Sequence, residues 1–280
     1  MQKIDAHQHF WRYDAETDGW ITDEMKVLRH DFMPPDLKKE LERNGFDGCV
    51  AVQAEQSEQE TQFLLELVAE YPFIKGVVGW LDIRAKNFEQ RLEHFAGQSA
   101  LKGLRHIVQD EHDDFLLRDD FMEGISLLAD YDLTYDILIY EHQLPAAVEF
   151  SVQFPDQPFV LDHIAKPRIE EAKIDQWEKG IRRLAEHPGM YCKISGMVTE
   201  ADWQQWQADD FKPYLEVVFE AFGPERLMFG SDWPVCTVAA SYSEVVGIVT
   251  EYIQALSDKE QQMIMGGNAR AFYDLEDGHQ

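Results

Sequence analysis

Short apolar runs rich in β-branched residues alternate along the chain with longer segments of helical periodicity. Several runs, such as the Cys-Val-Ala-Val stretch at 49–52, are apolar on both faces of a pleated strand. Two-sided burial of this kind is typical of parallel strands covered by helices. The pattern predicts eight strands, at residues 3–9, 47–54, 74–81, 101–108, 133–140, 158–163, 190–195 and 226–231.

The segments between these runs carry the residues that begin and end helices. Pro34 predicts the first turn of one helix, because its fixed φ suits that position. Ser57, with Glu60 three residues later, has the spacing of a capping box and precedes an apolar stripe. Ser257 and Glu260 repeat that spacing near the end of the chain.

Eight strands alternating with helices in 280 residues predict an α/β fold, a (β/α)8 TIM barrel. The alternative is an open, doubly wound sheet. That fold usually has fewer strands per domain, and its GxGxxG fingerprint does not follow the first predicted strand. Since no repeat, low-complexity tract or Gly/Ser linker divides the chain, we expect one barrel domain over residues 1–280.

The net charge excludes several classes of partner. With 53 acidic and 25 basic residues, the formal charge is −28, which repels nucleic acids and anionic membranes. A content of 45% hydrophobic and 12% aromatic residues argues against a disordered acidic chain. We therefore expect a globular protein that binds neither nucleic acid nor membrane.

The N-terminal sequence and the cysteines favour a cytoplasmic location. The chain begins Met-Gln-Lys and passes directly into the first predicted strand, without the apolar stretch of a signal peptide. The three cysteines, Cys49, Cys192 and Cys236, are odd in number and far apart. This spacing favours buried, reduced thiols over disulfides or metal ligands.

The segment 10–33 is long, lacks periodicity and is rich in aromatic residues, among them Trp11 and Trp20. Long connections in compact domains are usually functional loops or lids. In a barrel, this segment would leave the carboxyl end of the first strand, where active sites form. An aromatic cluster that seals the barrel end is an equally good and compatible interpretation.

The sequence Asp5-Ala6-His7-Gln8-His9 is the strongest local signal for chemistry. Alternate residues of a strand share a face, which predicts that Asp5, His7 and His9 point the same way. Two imidazoles at the inner end of a barrel strand could bind a metal or an oxyanion. They could also be hydrogen-bonded core histidines.

Two further strand ends carry candidate reactive groups. Asp232 follows the eighth predicted strand, where it could be a general base, a metal ligand or the cap of a loop. Gly230 before it permits a close backbone approach. His163 ends the sixth predicted strand and would face the barrel mouth. Strand alternation then predicts that Asp162 points toward the helices in a structural role.

Weaker candidates lie at other strand ends. Arg105 and His106 are near the end of the fourth predicted strand, and Lys193 and Ser195 are on the seventh. The guanidinium of Arg105 could hold a carboxylate or polarise a carbonyl, although a surface salt bridge is nearly as plausible. His142 follows the fifth strand and could be a ligand, but it is better explained as a loop histidine.

Other motifs exclude alternative chemistry. Residues 109–114 (QDEHDD) lack the glycine and distal glutamate of an EF-hand, which favours a solvated acidic loop. A P-loop, a GxSxG elbow and an HExxH motif are absent from the sequence. Covalent serine or cysteine catalysis therefore has no support.

Five motifs in barrel order resemble the amidohydrolase superfamily, and more narrowly its sugar-lactonase branch. They are IDAHQHFW at 4–11, GLRH at 103–106, LDHIAKP at 161–167, FGSDWP at 229–234 and NAR at 268–270. This branch includes fuconolactonase-like, rhamnonolactonase-like and pyrone-dicarboxylate lactonase proteins. The resemblance extends over essentially the whole chain.

The resemblance implies that His7, His9, His163 and Asp232 surround the reaction centre and hold any metal. It also implies that Asp232 deprotonates the attacking water and later protonates the leaving oxygen. Arg105, with His7 or His9, would polarise the lactone carbonyl. The residues expected to contact substrate are Trp11, His106, Lys193 and Trp233.

The end of the fourth strand has Arg-His where the wider superfamily has a residue that bridges two metals. We therefore do not expect a binuclear centre, and one divalent ion (zinc) or none remain as alternatives. The expected function is hydrolysis of a small-molecule sugar-acid lactone. The alternatives are a zinc-dependent non-oxidative decarboxylase and a barrel that only binds ligand. A homo-oligomer is left open.

Overall fold

The computed structural model of the protein describes residues 2–275. These residues form eight parallel strands whose order in the sheet follows their order in the chain. The strands are β1 (Ile4–Gln8), β2 (Gly48–Val52), β3 (Ile74–Gly79), β4 (Leu101–Ile107), β5 (Thr134–Leu138), β6 (Phe159–Leu161), β7 (Met190–Ile194) and β8 (Leu227–Phe229). Consecutive order is that of a barrel and not of a doubly wound sheet, whose order reverses at a switch point.

Helices connect the strands and surround the sheet. They are α1 (Pro34–Asn44), α2 (Glu58–Glu70), α3 (Phe88–Ala96), α4 (Asp119–Ile125), α5 (Leu144–Ser151), α6 (Asp175–Leu184), α7 (Ala208–Phe222), α8 (Tyr242–Ile253), α9 (Asp258–Gln262) and α10 (Asn268–Phe272). Among residues 2–275, no helix combines the length and the apolar character needed to span a bilayer. The predicted single-domain (β/α)8 TIM barrel is confirmed; residues 1 and 276–280 of the predicted domain lie outside the described residues.

The barrel closes where β8 meets β1. His9 donates its backbone N–H to the carbonyl of Trp233 at 2.8 Å, and Asp232 donates to the carbonyl of His7, also at 2.8 Å. A Cβ added at Gly230 would lie 2.6 Å from the Cβ of His7, so only glycine permits this approach. The close approach predicted at Gly230 is therefore confirmed.

β1 contains a β-bulge that changes which side chains face the interior. Asp5 pairs with Cys49, but Gln8 pairs with Ala51, so β1 has one residue more than β2 between these points. A bulge of this kind reverses the alternation of side chains. As a result His7 faces the barrel interior and Asp5 faces the helical layer. The prediction that Asp5 shares a face with both histidines is wrong for this reason.

The buried carboxylate of Asp5 joins β1 to β8 and to α8. Its Oδ1 accepts hydrogen bonds from the backbone N–H groups of Ser231 (2.9 Å) and His7 (3.2 Å). Its Oδ2 accepts from the hydroxyls of Ser231 (2.6 Å) and Tyr242 (3.0 Å). We call these contacts, together with the backbone bonds between residues 7–9 and 232–233, the β1–β8 seam.

The end of the barrel opposite the carboxyl ends of the strands is filled by apolar side chains and covered by α10. Ile4, Val50 and Met228 pack there with Tyr273, which follows α10. Asn268 donates from its side-chain amide to the carbonyl of Leu227 at 2.6 Å. These contacts close that end, so the cavity opens at the other.

The predicted helix caps form, with one difference. Ser257 and Glu260 make a reciprocal capping box. The Ser57 hydroxyl accepts from the N–H of Glu60, but the Glu60 carboxylate does not return to Ser57. Instead it accepts from the N–H of Ala54 at 2.9 Å and is buried beneath the β2–α2 connection.

The three cysteines are free and buried. The prediction of buried, unpaired thiols is therefore confirmed for Cys49, Cys192 and Cys236. Burial raises the pKa of the Cys49 and Cys236 thiols well above the usual range, which keeps both protonated and unreactive.

Asp5→Ala is expected to lower the free energy of unfolding by about 3 kcal/mol, because it leaves buried donors without an acceptor. Tyr242→Phe removes one bond of the seam and should cost about 1 kcal/mol. Urea unfolding measures both. The matched control is Asp209→Ala, which breaks an exposed pair with Lys212 and should change stability by less than about 0.5 kcal/mol. A loss at Asp5 no larger than that at Tyr242 contradicts the role of the seam.

Glu60→Gln should change how stability depends on pH. Burial raises the pKa of the Glu60 carboxyl from 4.5 to about 8. Between these values the folded protein binds more protons than the unfolded chain, so stability falls as pH rises toward 8. The stability of the parent relative to Glu60→Gln should therefore fall by about 1 kcal/mol per pH unit over this range.

Urea unfolding at several pH values between 5 and 8 measures this dependence. Glu66→Gln on the exposed side of α2 is the control and should give a curve parallel to that of the parent. If the stability of Glu60→Gln and that of the parent depend on pH in the same way, Glu60 is ionised throughout this range and the raised pKa is contradicted.

Candidate active site

A cavity of about 450 Å³ opens at the carboxyl ends of the strands. This volume is in the range of small-molecule sites. His9, Arg105, His163 and Asp232 contribute to its floor, and aromatic side chains contribute to its walls. The wall aromatics are Trp11, Trp20, Tyr140 and Trp203.

The segment 10–33 has both of its predicted roles. Trp11, Trp20 and Met25 line the cavity. The backbone of Trp11 pairs with that of Phe32, whose ring lies 5.2 Å from the ring of Trp233. The same segment therefore forms one wall of the cavity and seals the end of the barrel.

Four predicted reactive side chains converge at the cavity floor. His7 Nε2 lies 3.2 Å from His9 Nε2, and His9 Nε2 lies 3.3 Å from Asp232 Oδ1. The Nε2 atoms of His7 and His163 are each 3.9 Å from the same Asp232 oxygen. All four side chains are buried. We call His7, His9, His163 and Asp232 the floor cluster.

Hydrogen bonds fix the tautomer of His9 and constrain that of His7. His9 Nδ1 lies 2.8 Å from the carbonyl of Val52, which only accepts, so Nδ1 carries the proton. His7 Nε2 faces Arg105 Nη1 at 3.3 Å, and a guanidinium only donates. His7 Nδ1 lies 3.3 Å from a carboxylate oxygen of Asp162 and 3.2 Å from the Lys193 ammonium. In the tautomer in which His7 Nδ1 donates to Asp162, the Nε2 lone pair of His7 faces Arg105 and His9 Nε2.

Burial holds the pKa of His7 and of His163 well below the ordinary histidine value, so both rings are neutral. At Asp232, burial opposes ionisation, but His163, His9 and Lys166 together lower the pKa of the carboxyl. Lone pairs and a carboxylate oxygen thus meet at one point. Such a donor set suits a cation.

The spacing of these atoms also suits a single metal ion. Zinc–nitrogen bonds of about 2.0–2.1 Å in a tetrahedral site place neighbouring ligand atoms about 3.3 Å apart. The two short separations in the floor cluster, 3.2 and 3.3 Å, match this value. His7, His9 and Asp232 therefore fit one divalent ion.

A left-handed turn after β6 positions His163. Residues 163–166 all have positive φ, between 46° and 59°, and Ile164 is among them although β-branched residues rarely adopt this conformation. Gly196 lies against the His163 ring, where a Cβ would be 2.6 Å from Nδ1. The hydroxyl of Ser195 lies 2.9 Å from the same nitrogen. Strain of this kind is often found at functional sites.

The same turn corrects the prediction for Asp162. Because the chain turns left-handed at His163, Asp162 and His163 both face the barrel interior. The Asp162 carboxylate lies 3.1 Å from Arg105 Nη1 and 3.0 Å from Lys193 Nζ. Burial by itself would raise the pKa of the Asp162 carboxyl, but Lys193, His7 and Arg105 hold that pKa well below the usual range. The prediction that Asp162 points toward the helices is wrong.

Lys193 lies beneath the floor cluster and not in the cavity wall. Its Nζ is 2.5 Å from Asp136 Oδ2, which also accepts from the hydroxyl of Tyr273 at 2.8 Å. The side chain of Lys193 is fully buried. As placed, it supports Asp162 and His7 from below and does not reach a ligand in the cavity.

Arg105 is buried, so the surface salt bridge considered for it does not form. Gln53 accepts from Nε (3.1 Å) and Nη2 (2.7 Å) through its side chain, and its backbone carbonyl also accepts from Nη2. Nη1 contacts Asp162 and His7. Every N–H of the guanidinium therefore has an acceptor.

Gln53 was not among the predicted site residues. Its only signal is that a polar residue directly follows the apolar run of β2, at the carboxyl end of the strand. Asp136, inside the apolar run of β5, gave a similar signal.

Of the four residues predicted to contact substrate, one lines the cavity and three do not. Trp11 lines the cavity, but His106 and Trp233 do not. His106 lies 3.0 Å from Glu111 and stacks on Phe115. The Trp233 ring packs in the aromatic seal, and Lys193 lies below the floor.

The predicted loop residues outside the floor are either exposed to solvent or part of the cavity lining. His142 is half exposed and lies 3.3 Å from Asp113, which confirms its interpretation as a loop histidine. Asp113 and Asp114 are exposed, as predicted for a solvated acidic loop. Gln109 and Asp110 line the cavity, so the prediction holds for only part of that loop.

Two proteins named as lactonases resemble this chain along nearly its whole length. An L-fucono-1,5-lactonase from Burkholderia multivorans is 41% identical over 285 residues, covering 98% of this chain and 96% of that protein. An L-fucono-1,5-lactonase from Burkholderia ambifaria is 32% identical, with 98% and 96% coverage.

A solved structure also matches closely. The crystal structure of an amidohydrolase from Burkholderia multivorans with bound zinc is 41% identical and has a TM-score of 0.95. The match covers 99% of this chain and 100% of the crystallised one. The family model of the amidohydrolases matches residues 4–275, and the chain therefore belongs to the amidohydrolase family.

Proposed function

We propose that this protein is a hydrolase that opens the carboxylic ester bond of a sugar-acid lactone by addition of water. The observation that carries the proposal is the convergence of the Asp232 carboxylate with three imidazoles at the cavity floor. The names of the two Burkholderia relatives support the substrate class and favour lactone opening over decarboxylation.

Asp232 is the proposed general base. Its carboxylate takes a proton from water as the water oxygen bonds to the lactone carbonyl carbon. When the bond from that carbon to the ring oxygen breaks, Asp232 returns the proton to the ring oxygen. The balance is one lactone plus one water giving one hydroxy acid, which then ionises and releases a proton.

Arg105 is proposed to stabilise the oxyanion that forms on the carbonyl oxygen. Gln53 and Asp162 hold its guanidinium, so its positive charge is oriented before substrate binds. The Nη1 contact to His7, at 3.3 Å, is the longest of its contacts and the one that a carbonyl oxygen can replace.

Either the protein groups alone or a metal can complete this chemistry. A divalent ion such as zinc, held by His7, His9, His163 and Asp232, would supply Lewis-acid polarisation of the carbonyl. His7 and His9 present their Nε2 atoms to the site, and His163 Nε2 lies 3.9 Å from the Asp232 carboxylate.

The cavity walls suit a neutral, hydroxylated ring. Trp11, Trp20 and Trp203 offer apolar faces to the C–H side of a sugar. The carboxylates of Asp110 and Glu200 can accept hydrogen bonds from its hydroxyls. Since opening the ring creates an anion, the same carboxylates repel the product and assist its release.

The remaining expectations stay predictions. The charge of −28 supports the absence of nucleic-acid and membrane partners. Reduced, buried thiols agree with a cytoplasmic location. A homo-oligomer is a prediction for a measurement of solution mass.

Asp232→Asn tests the proposed function. The amide keeps the size of the side chain but removes its basicity, so kcat/KM toward L-fucono-1,5-lactone should fall by about 1000-fold. A pH indicator follows the acid released, after subtraction of spontaneous lactone hydrolysis.

The matched control for this assay is Asp113→Asn, on the exposed loop, which should stay within about twofold of the parent. Lack of acid release by the parent with any aldonolactone, with or without added zinc, rejects lactone opening. Full activity in Asp232→Asn rejects the assigned base.

A further inference from the structure

The guanidinium of Arg105 contacts an atom that the floor cluster would offer to a metal. Arg105 Nη1 lies 3.3 Å from His7 Nε2, the lone pair that also faces His9 and Asp232. Both Arg105 and His7 are buried, so water does not separate the two groups. An imidazole lone pair binds one electrophile at a time, and metal binding requires that lone pair.

Arg105 cannot readily give up this position. A guanidinium does not lose its proton in proteins, so Arg105 stays a donor and a positive charge at any working pH. Gln53 accepts three hydrogen bonds from the Arg105 guanidinium, and Asp162 accepts one from Nη1 at 3.1 Å. Movement away from His7 would leave these buried acceptors unpaired.

Other charges around His7 do not cancel the effect of Arg105. Asp162 lies between two cations, Arg105 and Lys193, and Lys193 Nζ is 3.2 Å from His7 Nδ1. Lys193 is itself paired with Asp136. The carboxylate of Asp232 is therefore the one anion of the floor cluster that faces His7 Nε2 directly.

From this arrangement we infer that Arg105 sets the metal affinity of the site by competing with a divalent cation for the lone pair of His7 Nε2. Arg105 is thus a residue that keeps zinc binding weak, in addition to any role toward substrate. The inference rests on the floor cluster and not on lactone hydrolysis, so it holds or fails independently of the proposed function.

The test is the zinc affinity of the purified full-length protein, measured by competition with a chromophoric chelator at fixed pH and ionic strength. Arg105→Met removes the donor and the charge, and should tighten zinc binding by about tenfold or more. Arg168→Met is the matched control. Arg168 is half exposed and pairs with Glu141 outside the floor cluster, so the change should stay within about twofold.

A second variant separates competition for the lone pair from a general loss of charge and serves if Arg105→Met fails to fold. Gln53→Ala keeps the guanidinium but removes the side-chain oxygen that accepts from Nε and Nη2. The released guanidinium can move from His7, so zinc binding should tighten by about threefold, less than in Arg105→Met.

His9→Gln verifies that the measured zinc binds at the floor cluster, because it should weaken binding in the parent and in both variants. Unchanged or weaker zinc affinity in both Arg105→Met and Gln53→Ala overturns the inference. Tightening in Arg168→Met equal to that in Arg105→Met also overturns it, because net charge alone would then explain the effect.

Discussion

The β1–β8 seam is the constraint on which the candidate active site depends. His7 and His9 come from the first strand and Asp232 from the end of the last, so their separations are set by how these two strands meet. Backbone bonds fix the two strand ends, and Gly230 allows their close approach. The Asp5 carboxylate ties both to α8. Closure of the barrel and assembly of the floor cluster are therefore one structural event.

Two local departures from regular strand geometry increase the number of polar groups at the floor. The bulge in β1 turns His7 inward although the strand alternation would not, and the left-handed turn after β6 brings His163 inward beside Asp162. A regular strand delivers only every second residue to a given face. The bulge thus brings the imidazoles of His7 and His9 to the floor and the turn brings that of His163. The surrounding hydrogen bonds offset the conformational cost.

Periodicity and strand-end chemistry were sufficient to predict the barrel, the residues of the floor cluster and a buried role for the cysteines. The directions of Asp5 and Asp162 were predicted wrongly, because a bulge and a left-handed turn depend on pairing with distant strands that the local pattern does not encode. The position of Lys193 beneath the floor, and the contact of Gln53 with Arg105, depend likewise on which strands become neighbours. Side-chain type therefore indicated the chemistry, while tertiary contacts decided which groups reach the cavity.

The seam also constrains when the site can form during synthesis. Asp5 and Ser231 are 226 residues apart. The seam between β1 and β8 therefore cannot form until nearly the whole chain has been synthesised. Contacts of such high sequence separation form late, because the entropy of closing the loop must be offset by other contacts first. A nascent or truncated chain that lacks β8 would present two histidines without the carboxylate that completes the cluster. The floor cluster is therefore complete only in molecules whose folding is complete.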